Sequence, residues 1–97
     1  MNNEKPTDST PPRQAIRVQR VQTGVRIEKR LLKVLKALAE CFDMTLGDLL
    51  EGIVLHAFDG QSPFTDAETL QKIADLKRIY GVDYDYTASH NFVEDET

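Results

Sequence analysis

Val21-Gln22-Thr23-Gly24-Val25-Arg26-Ile27 is the stretch on which the reading of the fold turns. Val21, Thr23, Val25 and Ile27 alternate with Gln22, Gly24 and Arg26, the period-two pattern of a half-buried strand. One face can bury. The other presents an amide and a guanidinium, side chains able to hydrogen-bond the edges of DNA bases. Val18 and Val21 are three apart, which breaks the alternation, so the expected strand starts at Val21 and ends at Ile27. No second strand lies nearby in the sequence.

Two helical patterns follow the strand. Helix 1 is expected over about Glu28 to Phe42, where Leu31, Leu35, Leu38 and Phe42 recur at helical spacing and Leu32, Val34 and Ala39 widen the stripe. Asp43 is its expected stop, because Asp tolerates the left-handed backbone better than most non-glycine residues. Helix 2 is expected from Thr45 or Leu46 to about Phe58. Thr45-Leu46-Gly47-Asp48 has the form of a capping box with Asp in place of Glu or Gln. Leu46, Leu49, Leu50, Ile53, Val54, Ala57 and Phe58 make this helix apolar over more than half its circumference, so it should sit between two packing surfaces. Gly60 ends it. Thr65-Asp66-Ala67-Glu68 reads as a second capping box and opens helix 3, about Asp66 to Tyr80, with Gly81 in the position after its end. Val82, Tyr84 and Tyr86 alternate with Asp83 and Asp85, the pattern of a short strand.

Charge is strongly segregated. The chain has 97 residues and a net charge of −4. Yet residues 13–36 hold Arg13, Arg17, Arg20, Arg26, Lys29, Arg30, Lys33 and Lys36 against Glu28 alone. Residues 37–97 hold only Lys72, Lys77 and Arg78 against thirteen carboxylates. A basic binding end on an acidic body points to a polyanion partner; a solvated basic face on helix 1 is the plain alternative. The organisation that follows is a flexible basic arm (1–20), a strand-helix-helix unit (21–60), an additional helix (61–81) and an acidic tail (82–97).

Strand, helix 1 and helix 2 cover fewer than forty residues, a size that usually needs a metal, a disulfide or self-association. A single cysteine, Cys41, makes no internal disulfide and suits a reducing cytoplasm. His56 and His90 are too few and too scattered for a structural zinc site. A homodimer remains. Pairing the strand antiparallel with its copy satisfies one backbone edge of each, and helix 2 completes the interface. The expected dimer core is Val21, Thr23, Val25, Ile27, Leu35, Leu38, Leu50 and Ile53.

In this order of strand, helix and Thr-capped helix, residues 21–58 resemble the ribbon-helix-helix DNA-binding family of Arc- and MetJ-type repressors. The resemblance implies a mostly α fold, a β-α-α homodimer with an intermolecular two-stranded ribbon, plus an extra C-terminal helix here. It implies a sequence-specific repressor whose ribbon enters the major groove of double-stranded DNA. Gln22, Gly24 and Arg26 would face the bases. Thr45, Leu46 and Gly47, at the start of helix 2, would hold phosphate; Arg17 and Arg20 on the arm would add phosphate contacts. The chain departs from the family at Gly24, which offers no side chain, at Asp48, a carboxylate beside the phosphate position, and at Asp43, where the family often has glycine. Modest single-site affinity, raised by cooperative neighbouring dimers, is the expectation.

Other readings fare less well on the residues. A helix-turn-helix would use helix 2 for recognition, but helix 2 has no Lys or Arg and carries Asp48 and Glu51. No phosphate-cradling glycine loop, activated nucleophile or metal-spaced ligand pair points to an enzyme, and no cofactor or metal is expected. Asp83 and Asp85 read as part of a solvated acidic tail rather than a cation site. Antitoxins resembling this fold wrap a toxin with a C-terminal extension, which makes residues 60–97 a candidate protein-binding segment with Tyr84 and Tyr86 as anchors. An adaptor dimer without DNA binding is the third class. No apolar run is long enough to span a membrane, the N-terminus lacks a secretory signal pattern, and a cytoplasmic, nucleoid-associated location is expected.

Overall fold

The computed structural model describes residues 15–95. They form three α-helices, α1 (Lys29–Cys41), α2 (Leu46–Phe58) and α3 (Ala67–Ile79), and a short 3-10 turn at Tyr86–Ala88. The expected arm before residue 15 and the tail residues after 95 lie outside the described residues.

The helix ends follow from local chemistry. Thr45 caps α2 in a complete capping box: its hydroxyl accepts from the Asp48 N–H, and the Asp48 carboxylate accepts from the Thr45 N–H. At α3 the cap is Asp66, not Thr65, and its carboxylate accepts from the Thr69 N–H. Asp is the stronger N-cap of the two, so the helix begins one residue later than the Thr65 reading implies. All three helices end in the same way. Asp43, Gly60 and Gly81 take positive φ. The N–H groups of Met44, Gln61 and Val82 reach back to the carbonyls of Ala39, His56 and Lys77, the Schellman closure. Asp43 at φ 56° performs without a glycine what Gly60 and Gly81 do with one.

The ribbon-helix-helix expectation is corrected here. Among the described residues there is no strand. Residues 15–27 are irregular, exposed and without backbone hydrogen bonds to the helices. Alternation predisposes a backbone to extend, but a strand exists only where a second edge supplies its hydrogen bonds. Among the described residues none is supplied. The other alternating segment, Val82 to Tyr86, runs as coil into the 3-10 turn. The described residues form a three-helix arrangement preceded by an irregular arm.

The core is small and centred on α1. Leu38, Ala39 and Leu49 are buried together, with Leu35, Phe42, Ile53, Phe64, Ile73 and Leu76 packed around them. Both α2 and α3 pack against α1 rather than against each other. Helix 3 therefore covers helix 1 and not helix 2, which leaves the outer side of α2 open. Of the expected dimer core, Leu38 is the most buried residue of the single chain's own core, and Leu35 and Ile53 flank it. Val21, Thr23, Val25, Ile27 and Leu50 are exposed. Leu50, Val54, Leu55 and Phe58 form an uncovered apolar face on α2, with Phe58 80 % exposed.

Candidate nucleic-acid interface

Lys29, Lys33 and Lys36 are spaced four and three residues apart, so they share one stripe of α1. All three are exposed. The opposite side of the same helix carries Val34, Leu38 and Ala39 into the core. Segregation of apolar and basic residues in the sequence thus becomes one cationic ridge on an amphipathic helix. The exposed arm, with Arg17, Arg20 and Arg26, leads directly into it.

Cations sit at the end of α1 where they are least welcome. Lys29 and Arg30 occupy its first turn, and no acidic residue accompanies them there. The helix dipole makes that end positive, at a cost of about 0.3–1 kcal/mol for a like charge. Glu28 offsets this as N-cap. Its carboxylate accepts from the N–H groups of Arg30 and Leu31, from Arg30 Nε and from the Tyr84 hydroxyl. The Tyr84 bond, helped by the Leu31 and Arg30 donors, holds the Glu28 carboxyl down at about 2, against a desolvation effect of opposite sign. Burial and then the same hydrogen bond push the Tyr84 phenol up to about 12.

The C-terminal segment encloses this corner. Arg30 donates to the Gly81 carbonyl at 2.8 Å and lies 5.5 Å over the Tyr84 ring. Tyr84 meets Phe92 edge to face at 5.1 Å. Val82 is buried. Neither the acidic run nor the tyrosine alternation in the sequence reveals this fold-back. Tyr84, read from the sequence as an anchor for a partner, anchors the tail to its own chain; Tyr86 is exposed.

The expected DNA-contacting residues fall into three groups. Gln22 and Gly24 lie on the exposed arm, and a side chain at Gly24 would meet open space. Arg26 is also on the arm, paired with Glu94. Arg20 makes a two-pronged ion pair with Glu51, at 2.8 and 2.7 Å, and a longer contact to Asp48. The Glu51 hydrogen bond raises the Arg20 pKa and lowers that of Glu51. Arg17 is exposed, and among the described residues it has no ion pair.

The start of α2 is less suited to phosphate than the sequence reading has it. Leu46 and Gly47 keep N–H groups without partners among the described residues. The open concavity beside them, between α1 and α2, is lined by Glu40, Asp43 and Asp48 against Lys36 alone. Three carboxylates there oppose an anion. Among the described residues no helix is long and apolar enough to cross a membrane.

Comparison of the chain with protein-family models, with curated proteins and with solved structures gives no match.

Proposed function

We propose that this chain binds double-stranded DNA as a homodimer and serves as a small transcriptional repressor at the nucleoid. The observation that carries the reading is the exposed Lys29/Lys33/Lys36 ridge of α1, continuous with an exposed arginine-bearing arm on a chain that is otherwise acidic. A ridge of this kind neutralises phosphates and releases their counterions, the main source of affinity for duplex DNA. The arm is exposed and forms no helix or strand, which supports a role for Arg17 and Arg26 along a groove or the flanking backbone. The start of α2, beside a concavity lined by Glu40, Asp43 and Asp48, contributes least.

The dimer rests on the open face of α2. Leu50, Val54, Leu55 and Phe58 lie on a helix whose inner side is already packed on α1. Only five hydrophobic residues are buried among those described: Val34, Leu38, Ala39, Leu49 and Val82. That is a meagre core for a chain of this length. A second copy covering the same face adds apolar burial and doubles the cationic ridge.

The test is fluorescence anisotropy with a labelled mixed-sequence duplex at low salt. The wild-type chain binds. The variant with Lys29, Lys33 and Lys36 all changed to Gln, with helicity preserved by circular dichroism, does not. Equal binding by both chains removes the reading.

A further inference from the structure

Residues 82–95 lie back along the start of α1 and end on the arm. Val82 is buried, the Tyr84 hydroxyl meets Glu28 at 2.5 Å, Tyr84 stacks edge to face with Phe92, and Glu94 pairs with Arg26. The ordered contacts fix the segment two residues before Glu94, so the pairing carboxylate is delivered by a short tether. Tethering gives an effective concentration on the order of millimolar, far above that of a free competitor. The Arg26–Glu94 pair itself is exposed on both sides. An exposed ion pair is weak, and polyanionic DNA can displace it.

We propose that this C-terminal strap is a built-in competitor for DNA. In the DNA-free chain Glu94 occupies the Arg26 guanidinium, and duplex DNA binds by exchanging that carboxylate for a phosphate or a base edge. The inference deepens the DNA-binding reading and rests on it. It gives the acidic tail a role that needs no second protein. The tail lowers non-specific affinity by engaging the arm, while the Lys29/Lys33/Lys36 ridge, among the described residues, has no carboxylate partner. Discrimination then depends on whether a site repays the exchange at Arg26.

The test uses the full-length chain and a labelled mixed-sequence duplex, with four proteins: wild type, Glu94→Gln, Arg26→Ala and the double variant. Glu94 and Arg26 are exposed, so these changes leave the helices intact, which circular dichroism checks. The proposal predicts that Glu94→Gln tightens binding about two- to five-fold at low salt, the range of one exposed ion pair. It predicts no such gain in the Arg26→Ala background and a smaller one as salt rises. Wild type and Glu94→Gln binding with equal affinity overturns the strap and leaves the DNA reading standing. A gain that persists without Arg26 also overturns it, since removal of one negative charge then accounts for the effect. If none of the four proteins binds duplex DNA, the DNA reading itself fails and the strap's role falls with it.

Discussion

The Tyr84 hydroxyl donates to the Glu28 carboxylate at 2.5 Å across 56 residues of sequence. One hydrogen bond thereby joins the N-cap of α1 to the C-terminal segment. Glu28 caps a helix whose first turn is otherwise cationic, so the bond also steadies the point where the arm meets the ridge.

This bond writes itself into the pH dependence of stability. The Glu28 carboxyl is held at about 2, below its ordinary value near 4.5, so its contribution is full above about 4.5 and is lost as pH falls toward 2. Burial first, and then the bond to Glu28, raises the Tyr84 phenol to about 12 from an ordinary 10, so its contribution is full below about 10 and is lost as pH rises toward 12. Urea denaturation across pH should show both flanks in the wild type. Tyr84→Phe should abolish the alkaline flank of this bond and weaken the acid one. An alkaline flank unchanged in Tyr84→Phe contradicts the assignment.

Asp43 closes α1 at φ 56°, in the left-handed region. Asp43→Gly should raise stability by up to about 1 kcal/mol, the lower end of the left-handed penalty for an L-residue, and Asp43→Ala should lower it by a similar amount. Thermal melts of the three proteins check the order. Asp43→Ala matching wild type would show that the Asp contributes nothing there.

How much of this was legible in the sequence depended on how far each interaction reaches. Asp43, Gly60 and Gly81 marked the helix ends, and Thr45 with Asp48 marked a start, because caps and stops act within a few residues. The apolar spacing of Leu31, Leu35 and Leu38 likewise carried α1. Val21 to Ile27 misled because alternation describes a strand's faces and says nothing of the edge it must pair with. The Glu28–Tyr84 and Arg20–Glu51 contacts were invisible for the same reason: they join residues with no local pattern between them. Nothing in the local sequence around Arg20 and Arg26 announces the carboxylates, Glu51 and Glu94, that the fold brings to them.

Leu38 is the most buried residue, 2 % exposed, at the point where both other helices meet α1. Leu38→Ala should cost about 2–5 kcal/mol. Against so small a core this should reduce the cooperative melt to a broad, sloping one. A sharp melt at the wild-type midpoint would show that Leu38 is not the centre of the packing.

The α2 face predicts the oligomeric state. Sedimentation equilibrium at micromolar concentration should give a dimer for the wild type and a monomer for Phe58→Glu, which puts a charge where about 1.5–3 kcal/mol of aromatic burial is expected. A wild-type monomer with full helicity sinks the dimer without touching the cationic ridge.

The central claim is that the Lys29/Lys33/Lys36 ridge meets DNA phosphates, and the salt dependence of duplex binding tests it most directly. Three lysines from each of two protomers should give a log–log slope of about −5, near −0.9 for each neutralised phosphate. A slope near zero, or no binding at low salt, would contradict the account.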